Sequence, residues 1–437
     1  MSWINFFQNR VEQNHPFGRG TNADIAPDDE SLFNKAYKAF AKKNILDAYE
    51  FFLNSIQNYT NELPNGNISI DRDKDTLNFE LFQGTCRVNG KITQEHFYAE
   101  VIIIKKEEAN VALKRYILER NYQLTYACYF SDDEYIKLKV FYNNTTMSPQ
   151  KIFFPIRELA LNADFDKEHI RSEFKNITLQ DIDHITKIDE NQLKIKYKFL
   201  HLWIEKLEEK VITLPSNDNT GMQAFLYLNI LLKVDYLLVP KYKIYQKLSK
   251  KVQDYFGNEH ATIEAKNEEL RLYVLKLKEL SFKEFSTNFY NSKYTFNPIE
   301  KSSYDDLVIF INESLNKIKW YKGNRYPQII SIIYQYMAFY SLYNYTINSV
   351  IKELLHLLVI VQNSQFFKTL ECENFYDAEK KSFFKRAITS KIQDIVSQNQ
   401  EKYKNLAIFS DDLNFASLDE FSYSYYSMLR NLDFEEL

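Results

Sequence analysis

The residues most able to do chemistry in this 437-residue chain are scattered. Seven histidines stand at positions 15, 96, 169, 184, 201, 260 and 356. No H-x-H, H-E-x-x-H or H-x₃₋₅-H pair brings two imidazoles to one element, so no metal site and no metal cofactor is expected. The nearest cluster is Asp181-x-Asp183-His184. It follows Thr178, a natural helix N-cap, and acidic residues are favoured in a first helical turn, so the spacing predicts a helix start there. The acidic runs Asp71–Asp75 and Asp132–Glu134 read as turns, because neither has the glycine and terminal glutamate of a calcium loop. Cys86, Cys128 and Cys372 form no C-x-x-C pair, which gives neither a zinc site nor a disulfide framework. Cys128 lies among strand residues and is expected to be buried. A nucleophile elbow, G-x-S-x-G, is absent.

One polar residue stands out by its surroundings. Asp235 sits within the apolar run Leu231–Val239, with Asn229 and Lys233 close by. A carboxylate inside a buried helix needs a partner, so Asp235 is either a satisfied structural ion pair or a ligand contact. No catalytic, cofactor-binding or metal residue is assigned beyond it.

Composition narrows the function classes. The net charge of −4 comes from 55 basic and 59 acidic residues, which gives no strong nucleic-acid signal. The densest basic run, Lys241–Lys251, reads as a solvated helix face, with phosphate contact as the alternative. Glycine is scarce, 8 residues against about 7% of a usual chain. Phosphate-cradling loops need clustered glycines, so nucleotide folds built on them are excluded. Aromatics are abundant, with 32 Tyr and 34 Phe. Tyr340 and Tyr343 on an apolar helix, and Trp3 and Phe7 on an amphipathic N-terminal segment, are the candidate interface residues. The N-terminus lacks a basic region followed by a long apolar stretch, so a cytoplasmic location is expected.

The periodicities that must position these groups divide the chain in three. Residues 1–30 read as an N-terminal arm. Residues 31–163 form an α/β module. Ala36 to Ile56 carry a helical pair broken at Lys42–Asn44. Leu77, Phe79 and Leu81 alternate along a strand. Asn89-Gly90 predicts a two-residue hairpin turn, and Gly84 predicts a mid-strand bulge. From Glu95 to Leu161 the period switches from strand (Phe97, Ala99, Val101, Ile103) to helix (Ala109, Leu113, Tyr116, Ile117), to two strands, to helix. Within this stretch Leu124, Tyr126, Cys128 and Phe130 are read as one strand face. The element order is α-β-β-β-α-β-β-α.

Residues 164–437 read as a larger all-α domain. Phe225–Val239 is apolar nearly all round and predicts a central buried helix ended by Pro240. Pro327 opens a second apolar helix, read as running to about Val361. Its polar interruptions argue against a transmembrane segment. Ser417-x-x-Glu420 caps the last helix. The fold class is therefore α+β, a mostly antiparallel sheet with flanking helices followed by a helical domain.

In element order, residues 31–163 resemble the type III secretion chaperone and YbjN-like fold, in which helices flank a twisted sheet. The resemblance implies dimerisation or peptide binding, and no residue role is carried over with it. Together with the missing catalytic motifs, it gives the expected function: a non-catalytic, chaperone-like or adaptor protein whose partner is another polypeptide or a second copy of itself. The alternatives are an enzyme with a site in the helical domain, or a protein associated with nucleic acid or a membrane surface.

Overall fold

A computed structural model describes residues 17–18, 27–57, 66–174, 176–215, 219–296, 302–345 and 348–435. Trp3 and Phe7 lie outside them. The module opens with α1 (Pro27–Ala41) and α2 (Ile45–Ser55), broken at Lys42–Asn44 as the pattern predicts. Strands β1 (Ile68–Arg72), β2 (Thr76–Gln83), β3 (Cys86–Thr93) and β4 (His96–Lys105) follow. Then come α3 (Val111–Gln123), β5 (Cys128–Ser131), β6 (Tyr135–Asn143) and α4 (Pro149–Glu173). The six strands form one antiparallel sheet in the order β1-β2-β3-β4-β6-β5. Four strands rather than three therefore precede α3.

One sheet face carries the core. Leu77, Phe79, Leu81, Val88, Phe97, Val101, Leu138 and Val140 are buried on it, and α2 and α4 pack across. The β4–β6 register slips between Ile102 and Ile104, so Ile103 and Ile104 are both fully buried.

The two glycines of the hairpin exchange their expected roles. Gly84, at φ +56°, begins the two-residue connection between β2 and β3, where a positive φ favours glycine. Gly90 lies mid-strand opposite Phe79, and a Cβ there would overlap the Phe79 ring. Close packing, not turn geometry, selects glycine at 90. The phase of β5 is also shifted by one residue: Ala127 and Tyr129 are buried and Cys128 is exposed.

Helix α4 continues to Glu173, past the 163/164 boundary read from periodicity. The region expected to start a helix after Thr178 has no helix. Asp181 and Asp183 instead pair with Arg87 of β3, at 3.1 and 2.5 Å.

The helical domain contains α5 (Glu190–Ile212), α6 (Thr220–Lys233), α7 (Tyr242–Gly257), α8 (Ile263–Lys278), α9 (Phe282–Ser286) and α10 (Tyr304–Gly323). It continues with α11 (Ile330–Asn344), α12 (Ser349–Gln362), α13 (Ser364–Thr369), α14 (Lys385–Asn399) and α15 (Leu418–Leu429). The second apolar helix is thus two, because Asn348 starts α12 afresh by accepting from the Ile351 N–H. A short hairpin, β7 (Tyr376–Asp377) and β8 (Ser382–Phe383), interrupts the otherwise helical domain. Among the described residues, no helix is long and apolar enough to cross a membrane.

Helix α6 is the axis of this domain. It packs against α5, α7, α8 and α11, and every residue from Leu226 to Pro240 is buried. After Lys233 the helix widens into a π-helical turn, Val234–Leu238. Val239 ends that turn at φ +54°, ψ +55°, a left-handed conformation that a β-branched residue adopts only under strain. Phe17-Gly18 docks on the same turn: the Gly18 N–H donates to the Tyr236 carbonyl at 2.9 Å, and the Phe17 ring lies against His356 and Phe367.

Candidate functional site

Three polar residues interrupt the buried stretch of α6 and its π-turn, namely Asn229, Lys233 and Asp235. A polar group taken out of water must find partners, so these residues fix where chemistry is concentrated. Asp235 lines one cavity and Lys233 another.

The Asp235 cavity, of about 110 Å³, lies at the seam between module and helical domain. Asp164 and Glu168 of α4, one helical turn apart, share it with Lys241 and Tyr294. Asp164 Oδ1 accepts from the Thr85 N–H and hydroxyl at 2.7 and 2.8 Å. Glu168 accepts from the Tyr290 hydroxyl at 2.6 Å and the Tyr242 N–H at 3.2 Å. Lys167, fully buried beside them, donates to the carbonyls of Thr85 and Gln180. Burial, and then the neighbouring Asp164, push the Glu168 carboxyl up to about 7.

This seam is a structural lock. Residues 291–296 of the helical domain run along the β2–β3 hairpin. Gln83 Oε1 accepts from the N–H groups of Thr295 and Phe296 at 3.0 and 2.8 Å. The Gly84 N–H donates to the Lys293 carbonyl at 2.9 Å, and the Gly84 carbonyl accepts from Ser292. His184 Nε2 lies 3.0 Å from the same carbonyl. Phe296 is buried within the module's own core. Asp235 thus sits where the two halves are bolted together, and the cavity there has room for waters rather than a metabolite.

The second cavity, of about 270 Å³, lies within the helical domain. Helix α5 contributes Phe199, Trp203, Lys206 and Lys210; α6 contributes Asn229 and Lys233. Lys233 is 8% exposed, and its Nζ donates to Gln335 Oε1 of α11 at 2.7 Å. The ammonium lies 5.2 Å from the Trp203 ring centroid and 5.8 Å from that of Phe339. Among the described residues no carboxylate pairs with it. Burial, then the positive charge of Lys206 and Lys210, push Lys233 down to about 7. Two carboxamide oxygens of lining residues, Asn229 Oδ1 and Gln362 Oε1, are buried without a hydrogen-bond partner.

The remaining candidates fall elsewhere. Tyr340 is half-buried in an intramolecular aromatic cluster with Phe310, Tyr336 and Phe256. Tyr343 packs against the helical core. Within the basic run, Lys243 and Lys247 line a surface groove with Arg171 and Lys276, while Lys241 turns inward over the Tyr294 ring at 4.5 Å. Among the described residues no group of three or more His, Cys, Asp or Glu side chains is arranged for a metal ion.

Lys206 and Lys210 escaped the sequence reading. Their signal was present, because they lie three and seven residues after Trp203 and so share its helical face. Comparison with known protein families and with curated protein sequences finds no match to this chain.

Two outcomes follow for the seam. Asp235→Ala lowers stability by about 1–3 kcal/mol, beyond any surface substitution, because a buried carboxylate is removed from its partners. An unchanged melting temperature would contradict its placement. For Glu168, the folded protein holds the proton that the unfolded chain releases near its ordinary value of 4.5. Stability therefore falls as pH rises from about 4.5 to about 7 and then levels. Glu168→Gln flattens that part of the slope in urea melts, and an identical slope in both proteins would count against the assignment.

Proposed function

We propose that the protein is a cytoplasmic binding protein whose helical domain receives a small organic anion between α5 and α6. One observation carries this reading: the Lys233 nitrogen is buried with a single neutral oxygen partner and no carboxylate, beside two further lysines. A buried charge is tolerated when it is paired or neutralised, and in this pocket the missing partner is an anion. The aromatic and aliphatic walls suit an organic body, and the unpaired Asn229 and Gln362 oxygens suit a ligand that also carries donors. Three free cysteines fit a reducing compartment.

Polypeptide binding through the α/β module is the second reading. Helix α3 supports it by exposing Val111, Leu118 and Tyr122, at 68%, 68% and 95%. Their spacing of seven and then four residues places them on one face, an apolar stripe suited to a partner surface. Cys128 on the edge strand β5 is exposed nearby in sequence.

Calorimetry with small carboxylates and phosphates tests the first reading. A bound anion at a hundred times its Kd raises stability by about 2.7 kcal/mol, and Lys233→Met weakens its binding at least about tenfold. The same substitution leaves the melting temperature of the free protein unchanged or higher, because it removes a buried amine that has no carboxylate to offset its charge. A strong loss of stability would show that Lys233 is a structural residue. For the second reading, light scattering after size exclusion should find a species heavier than the 52.2 kDa chain, or crosslinking from native extract a stoichiometric partner. Leu118→Glu should abolish either. A lone monomer under both conditions would sink this reading.

A further inference from the structure

Lys233 differs from the other buried lysines in what surrounds its nitrogen. Lys167 spends its donors on backbone carbonyls, of Thr85 and Gln180 among them. Lys196 donates to the Leu238 carbonyl at the end of the π-turn, at 2.8 Å, and lies over the Phe289 ring. Both nitrogens complete the fold. Lys233 instead lines an open cavity, is held through a single carboxamide oxygen at 2.7 Å, and has aromatic faces on its flanks. Lys206 and Lys210 stand at the same cavity.

We infer that Lys233 forms a reversible imine with a small carbonyl compound that carries an anionic group. This rests on the reading of the pocket as an anion site and specifies the chemistry of its occupant. Lys206 and Lys210 receive the anionic end, and the carbonyl carbon then faces the Lys233 nitrogen. An amine must be unprotonated to attack, and burial beside Lys206 and Lys210, which pushes Lys233 down to about 7, supplies that form at neutral pH. The Nζ lone pair forms the C–N bond while the carbonyl π pair moves to oxygen. A proton passes from nitrogen to oxygen, giving a carbinolamine. The nitrogen lone pair then forms C=N as the oxygen leaves, and with the second amine proton it departs as one water molecule. Nothing is oxidised or reduced, and hydrolysis reverses the step. Gln335 Oε1 acts as a positioning group, since it fixes the nitrogen without touching the carbonyl.

The source of the anionic group is separable by experiment. The intact protein is incubated at pH 7 with pyruvate, with glycolaldehyde phosphate or with acetone, each in the presence of cyanoborohydride, and the adducts are located by peptide mapping. The expected result is a dominant reduced adduct on Lys233 with one or both anionic carbonyls, and at least tenfold less with acetone. Which of the two reacts faster tells a carboxylate from a phosphate ligand. Lys206→Met with Lys210→Met slows adduct formation with the anionic compounds more than with acetone, so the ratio between them falls toward one. Labelling spread over exposed lysines, or no adduct on Lys233, would overturn the inference. The wild-type map decides this without any variant. If calorimetry still detects an anion that Lys233→Met abolishes, imine formation alone is wrong; if neither binding nor adduct is found, the pocket reading falls with it.

Discussion

A helix buried on every side allows its polar residues no recourse to water. That constraint governs α6 and its π-turn, where Leu226–Pro240 lie wholly inside the protein. Asn229, Lys233 and Asp235 therefore depend on neighbouring elements or on what fills the cavities they line. The π-turn separates the last two by re-aiming the chain after Lys233. One side chain then meets the α5 pocket and the other the seam with the module. The strained Val239 and the Lys196 bond to Leu238 close the same turn, so local backbone cost and buried polar partners are concentrated within a few residues.

The two cavities are solved differently. At the seam every element donates something: β2 and β3 present Gln83 and Thr85, α4 presents Asp164, Lys167 and Glu168, and residues 291–296 bridge across. Such a network is held by many mutually supporting bonds, and it joins the halves rather than opening between them. The α5–α6 pocket is left incomplete. There Lys233 has one neutral oxygen partner, and the Asn229 and Gln362 carboxamide oxygens have none. This difference between the two sites is what supports the proposed ligand reading of the pocket.

Much of the fold was legible in the sequence because local pattern and tertiary role agree there. The α1–α2 break, the β4 face, the buried α6 helix and the Ser417 cap all follow from period and capping chemistry. The misreadings share a cause: a local signal was overridden by a distant residue. Asn89-Gly90 has turn chemistry, yet Phe79 across the ladder requires glycine in a strand. Asp181 and Asp183 follow a capping threonine, yet Arg87 from β3 claims them. Asp235 was visible as an anomaly in an apolar run, whereas the pocket was not. Lys206 and Lys210 gain meaning only when α5 is laid against α6 and the α12–α13 junction, which line the same pocket.

The chemistry proposed for the pocket turns on the state of one nitrogen. The protonation of Lys233 in the intact protein is measurable from its ε-carbon resonance, or from pH-dependent competitive labelling read by peptide mapping. The structure predicts a titration near pH 7 in the free protein, moving upward when an anion occupies the pocket. A titration near the ordinary lysine value of about 10.4, unmoved by anions, would contradict it.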